Sequence, residues 1–153
     1  MTAAESIQTL PDRAGKYFPW DEFKCHDAIE TPYPLDWRLT RGIILGAELD
    51  KIRERIGPFV PTSVYRTFDY HRLIYSRMRP PQTAPIESQH LYGRAADIPK
   101  PPKMTWTEFA AAIISCANAP DSKIRYVKLY RNESFAHVDC RNTDKLRVEY
   151  SAP

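Results

Sequence analysis

Leu45, Leu49, Ile52 and Ile56 recur every three or four positions, the spacing that lines one face of a helix. From Asp36 onward this pattern predicts a helix, and Gly57-Pro58 supplies its stop. The next run, FVPTSVYR at 59 to 66, is rich in β-branched and aromatic residues and predicts a short strand that delivers Arg66 at its end. Pro61 favours an edge position or a late start for that strand, because proline has no N–H to give to a neighbour. A second helix is expected over 68 to 78, broken by Arg79-Pro80-Pro81, and a proline-rich loop follows through 88. A short strand at 95 to 98 ends at Pro99, Pro101 and Pro102. Thr105 and Glu108 then form a capping-box pattern that opens an alanine-rich helix through Asn118, closed by Pro120. Three strand-like runs at 124 to 129, 135 to 139 and 146 to 150 predict an antiparallel meander. The expected fold class is α+β: a small antiparallel sheet with helices packed on one side. Residues 1–16 show no periodicity and read as a loose arm; Tyr17, Phe18, Trp20 and Phe23 read as core, so the folded domain is expected over 17–153.

Composition narrows the class. The chain has 153 residues, enough for one well-buried core, with 42% hydrophobic and 27% charged residues, which excludes a disordered polymer. The longest apolar stretch, Phe109 to Ile114, is far short of the roughly 18 residues a membrane span requires, so no span is expected. The first twenty residues lack the basic start and apolar centre of a secretory signal. A net charge of +3, with Lys and Arg scattered among acids, argues weakly for an anionic partner such as nucleic acid or a cell-wall polymer and more strongly for an ordinary solvated surface, so no nucleic-acid partner is expected. Cys25, Cys116 and Cys140 have neither zinc-ribbon nor disulfide-framework spacing, and a Cys25–Cys140 bridge is the one pairing left open.

The chemistry concentrates in SQHLYGRAAD at 88 to 97. His90 and Asp97 stand seven residues apart around Gly93, which permits a sharp turn that returns one side chain to the other. A third ligand is needed for a metal, and the next histidine along the chain is His137, in FAHVD on an expected strand. Three nitrogen or oxygen ligands with the fourth position left to water is the pattern of a catalytic zinc, whereas structural zinc favours four ligands and thiolates. His26 and His71 read as structural or surface residues.

The segment SQHLYGRAAD resembles the Ser-x-His-x-x-Gly-x-Ala-x-Asp signature of the zinc D-alanyl-D-alanine carboxypeptidase and L-alanyl-D-glutamate endopeptidase family, relatives of lysostaphin-type enzymes and the hedgehog signalling domain. SVYRT at 63 to 67 is similar to that family's Ser-x-Tyr-Arg strand, FAHVDCR at 135 to 141 to the segment bearing its last zinc ligand, and YFPWDEFKC to its entry segment. The resemblance covers residues 17 to 153. It implies a hedgehog/DD-peptidase-like fold, Zn2+ held by His90, Asp97 and His137, Arg66 gripping a substrate carboxylate or oxyanion, and Ser88 beside the substrate.

For Arg66 the bland alternative is a surface ion pair with an acid such as Asp69; for Ser88 it is the start of a turn. Tyr92 and Trp106 are candidates for cleft walls or for core. Many members of the family place the proton-handling acid three residues before the last ligand, where this chain has Ser134. Asp139, two residues after His137 and on the same strand face, is preferred for an acid-base or supporting role, with Glu133 as its rival and a salt bridge to Arg141 or Arg147 as the bland reading. The resemblance thus implies a zinc metallopeptidase, expected as a monomer, that cuts amide bonds in peptidoglycan stem peptides at the bacterial cell wall. It would arrive there as a phage lysin or virion-associated enzyme, or by another export route. The alternative is a non-catalytic zinc-stabilised binding module or phage structural module of the same fold.

Overall fold

The computed structural model describes residues 10–151. Three helices, α1 (Ile43–Ile56), α2 (Phe68–Ser76) and α3 (Trp106–Asn118), accompany a four-stranded sheet of β1 (Ala95–Pro99), β2 (Tyr126–Tyr130), β3 (Phe135–Asp139) and β4 (Arg147–Tyr150), an α+β fold. The chain approaches α1 through a 3-10 turn at Leu35–Trp37 and a π turn at Arg38–Gly42, so regular α-helix starts later than the apolar pattern alone predicts. Gly57 ends α1 at φ 88°, its N–H bonded to the Arg53 carbonyl. Thr105 caps α3 by accepting from the Glu108 N–H at 3.1 Å while its hydroxyl donates to Glu108 Oε1 at 2.9 Å.

Strand order is β1-β3-β2-β4. β3 pairs antiparallel with β1 on one side and β2 on the other, while β4 runs parallel to β2, so the sheet is mixed, not the expected antiparallel meander. The cause is geometric. With both edges of β3 occupied and the outer edge of β1 engaged at Asp97 by residues 62 and 63, the chain leaving β3 pairs with the outer edge of β2. The short link 140 to 146 reaches that edge at the end where β2 begins, and a strand starting there runs the same way as β2.

Alternation divides the sheet into two faces. Ala96, Ile98, Val127, Leu129, Ala136 and Val138 point into the core, against Leu45, Leu49 and Ile52 of α1 and Phe109 and Ile113 of α3. Asp97, Lys128 and His137 share the opposite face. Ile74 and Tyr75 of α2 border a cleft with those residues, so α2 stands on the far side of the sheet from α1 and α3, a departure from the expected one-sided packing. The segment 59 to 66 is extended but forms no strand. It makes a single bridge, Ser63 with Asp97, after which the Tyr65 and Arg66 N–H groups turn to the Phe23 and His90 carbonyls.

Phe18, Trp20 and Phe23 are buried as expected, and Tyr33 joins them, stacked 5.4 Å from Trp20. Of the expected loose arm, residues 1–9 lie outside the described residues. Within residues 11 to 16, Pro11 accepts from the Trp20 indole N–H, Ala14 is buried, and the Lys16 N–H donates to Asp50, while Asp12, Arg13 and Lys16 are exposed. No helix among the described residues is long and apolar enough to cross a membrane. All three cysteines are free thiols, so the Cys25–Cys140 bridge left open by the sequence is not made.

Candidate metal centre

His90 sits in a 3-10 turn, Gln89–Tyr92, closed by Gly93 at φ 69°, a left-handed conformation that L side chains avoid. Space demands glycine there as well, because a Cβ would lie 2.8 Å from the Tyr33 hydroxyl and 2.9 Å from the Trp37 ring. Tyr33 Oη donates to the Gly93 carbonyl at 2.7 Å and pins the turn to the aromatic core. The chain then enters β1, where Asp97 faces back toward His90. Register sets Asp97 of β1 directly opposite His137 of β3.

Three side chains therefore converge from a turn and two strands. Asp97 Oδ1 lies 3.2 Å from His90 Nε2 and 3.2 Å from His137 Nδ1, and the three residues can each offer a ligand atom within 4.8 Å of the other two. Their outer contacts decide where the protons are. His90 Nδ1 is 2.7 Å from the Val64 carbonyl, and His137 Nε2 is 2.7 Å from Asp139 Oδ2. A carbonyl and a carboxylate only accept, so those nitrogens carry the hydrogens. In the neutral imidazoles, His90 Nε2 and His137 Nδ1 then present lone pairs toward an anionic oxygen. Two lone pairs and a carboxylate directed at one point repel unless a proton or a metal cation sits among them; in the metal-free chain a proton on His137 serves, and a divalent metal ion is a group this donor set could hold in its place.

The alternative, charging both rings, is opposed at His90 and favoured at His137. Burial holds the His90 imidazole below its ordinary pKa, against the pull of Asp97. Burial would lower His137 too, but hydrogen bonds to Asp139 and Asp97 outweigh it and raise the ring to about 8. Burial also opposes ionisation of Asp97; the neighbouring imidazoles overcome it and hold the carboxyl well below the usual range.

A second layer of contacts orients the three. Asp139 is fully buried, and both its oxygens are engaged: Arg141 grips it with Nε and Nη2, each at 2.8 Å, and Oδ2 also accepts from His137. The Arg141 contact anticipated as the bland reading and the contact with His137 thus occur together. Arg66 donates to Ser63 Oγ at 2.9 Å and to Asp97 Oδ2 at 3.3 Å, with Nη1 3.3 Å from His71 Nδ1; its acidic partner is Asp97, not Asp69. The His71 ring, buried, in turn donates from Nε2 to the Pro85 carbonyl and ties Arg66 to the loop 79 to 88.

The cleft over the triad has a volume of about 390 Å³. Ser88 lines it, as do Arg66, Lys128 and the exposed Glu87. Glu133 is exposed on the turn before β3 and lines an adjoining concavity with Asp97, Arg66 and His26. Neither Tyr92 nor Trp106 borders the cleft: Tyr92 Oη donates to the Ile86 carbonyl, and Trp106 packs on Phe109. Its aromatic walls are Tyr75, Tyr126, Tyr130 and Phe135, the last two stacked at 4.4 Å. Alternation in YVKLY would have put Tyr126, Lys128 and Tyr130 on one face; that this face carries His137 follows only from the β2–β3 register. Among the described residues Lys128 Nζ has no hydrogen bond or ion pair and rests 5.2 Å over the Tyr130 ring.

No model of a known protein family matches this chain, and a search of curated proteins finds no match.

Proposed function

We propose that this protein is a zinc metallopeptidase that hydrolyses amide bonds in peptidoglycan stem peptides at the bacterial cell wall. One observation carries the reading: His90 Nε2, Asp97 Oδ1 and His137 Nδ1 meet at the edge of an open cleft with their outer hydrogen bonds already made. Ligand atoms around a tetrahedral zinc at its usual bond lengths stand about 3.3 Å apart, and the two 3.2 Å separations here suit that ion. Nitrogen and oxygen donors without thiolate, and only three of them, suit a catalytic rather than a structural site. The resemblance of SQHLYGRAAD, SVYRT and FAHVDCR to the peptidoglycan peptidases supplies the substrate class.

When bound, zinc supplies Lewis acidity and lowers the pKa of a coordinated water. The remaining work falls to the chain. Val64 and Asp139 hold the two imidazoles in the ligating tautomer, and Arg66 occupies the outer oxygen of Asp97, leaving Oδ1 to the metal. Tyr75, Tyr126 and Tyr130 wall a cleft for an extended peptide, and Lys128 offers its uncommitted charge to a substrate carboxylate. With Asp139 fully engaged, proton transfer falls to one of the two exposed carboxylates near the triad, Glu133 or Glu87.

The test is incubation of the zinc-loaded protein with purified muropeptides and mass spectrometry of the products, alongside Glu133→Gln and Glu87→Gln. The reading expects cleaved stem peptides, with one of the two variants losing turnover while keeping its zinc. Stoichiometric zinc with intact muropeptides would overturn the enzyme and favour the zinc-stabilised binding or structural module.

A further inference from the structure

A second concavity, of about 260 Å³, lies at the end of the sheet where β1 and β2 begin and β3 ends. Arg41, Arg94, Lys123, Arg125 and Arg141 all line it, and no carboxylate does. For a chain whose net charge is only +3, five cations around one hollow is a local excess. Among the described residues only Arg141 is neutralised, by Asp139. Arg41 donates to the Tyr92 carbonyl and lies 4.3 Å over the Trp37 ring, and Arg125 donates to the Ser122 and Ile124 carbonyls. Such bonds fix the direction of a guanidinium without cancelling its charge. Arg94 and Lys123 have no side-chain partner among the described residues, although Arg94 is half-buried.

The backbone builds this arrangement. One residue beyond the register Ala95–Asp139–Tyr126, Arg94, Cys140 and Arg125 come side by side, the Cys140 N–H bonded to the Arg94 carbonyl and the Arg125 N–H to that of Asp139, both at 2.9 Å. The arginines are therefore held together by the sheet and do not disperse to relieve their repulsion. Burial, and then the charge of Arg94, hold the Arg41 guanidinium below its ordinary pKa.

We propose that this concavity is a binding site for a phosphate group, taken either as the free ion or as a phosphodiester of a polyol-phosphate polymer. Planar arginine forks match the oxygens of a tetrahedral oxyanion, and the lining offers little to an apolar ligand beyond Ile44 and Cys140. The volume is below the roughly 300 to 1,000 Å³ of typical small-molecule pockets, so it suits one charged group and not an entire cofactor. The phosphate site does not depend on the metallopeptidase reading; the choice of a polyol-phosphate polymer as one source rests on it.

The test is calorimetric titration of the full chain at physiological salt with inorganic phosphate and, separately, with a glycerol-phosphate oligomer. The variant Arg94→Gln/Lys123→Gln removes the two cations whose side chains have no partner among the described residues, and Lys103→Gln/Arg131→Gln removes the same charge from exposed positions away from the concavity. Saturable binding that weakens about tenfold or more in the first variant and stays unchanged in the second is expected. Tighter binding of the oligomer identifies the polymer as the source; equal binding per phosphate identifies the free ion. Absence of saturable binding by either ligand, or equal weakening in both variants, overturns the proposal. Amide shifts of Arg94, Arg125 and Cys140 on phosphate addition to the unsubstituted protein give an independent readout.

Discussion

Asp139→Asn separates a carboxylate that orients a metal ligand from one that moves protons. In the unsubstituted chain Asp139 is wholly buried and accepts from His137 Nε2 at 2.7 Å and from Arg141 at 2.8 Å twice. An asparagine has one acceptor oxygen and one amino group, so it must direct N–H at either His137 or Arg141, both of which donate. Breaking a buried ion pair costs about 3–5 kcal/mol, but Arg141 retains some solvent, so about 2–3 kcal/mol is expected. For a domain of this size that lowers Tm by about 8 °C. His137 also loses the partner that keeps its hydrogen on Nε2, and loss of such outer contacts weakens metal affinity about 10- to 100-fold. Thermal unfolding of metal-free protein and zinc titration against a competing chelator read the two effects. Wild-type zinc affinity in Asp139→Asn, together with abolished turnover, would refute the orienting role and return this residue to acid-base duty.

Other consequences are as direct. Gly93→Ala forces a side chain into a left-handed turn against Tyr33 and Trp37 and should destabilise the fold by about 2–3 kcal/mol, measured by denaturant unfolding. In metal-free protein, His137 titrates near 8, above its ordinary 6.5, so its stabilising contribution is complete below about pH 6.5 and is lost as pH rises through 8; apo-protein melts across that window should show the decline. Zinc must displace the same proton, so chelator-competition affinity should rise with pH up to about 8 and level off above it. Lys128→Met should slow cleavage of a stem peptide with a free terminal carboxylate while sparing its amide, with Lys128→Arg restoring the preference; equal loss on both peptides would deny the role of Lys128.

Much of this organisation was legible in the sequence, for reasons that also set its limits. Local chemistry wrote α1 and α3 plainly: four apolar residues at helical spacing with a glycine stop, and a threonine cap with its glutamate. The turn at Gly93 was equally local, which is why His90 and Asp97 could be paired from their spacing. What depends on register or on competition for hydrogen bonds was not. Alternation foretold β4 but not its direction, which follows from β3 having no free edge. The FVPTSVYR run has strand composition, yet its later donors are claimed by Phe23 and His90. The sequence left Arg66 between a substrate clamp and an ion pair with an acid such as Asp69, and only the fold reveals its contacts with Ser63 and Asp97. Glu48 falls on a helix rich in exposed charge and yet is buried, accepting from the Lys123 N–H at 2.9 Å, a contact 75 residues distant that no local pattern encodes.

A crystal of the zinc-loaded protein, measured on both sides of the zinc absorption edge, tests the central claim most directly. The account predicts one strong anomalous peak within bonding distance of His90 Nε2, Asp97 Oδ1 and His137 Nδ1, with a remaining position open to the cleft. A peak at other residues, or none at that point in folded protein, would contradict it.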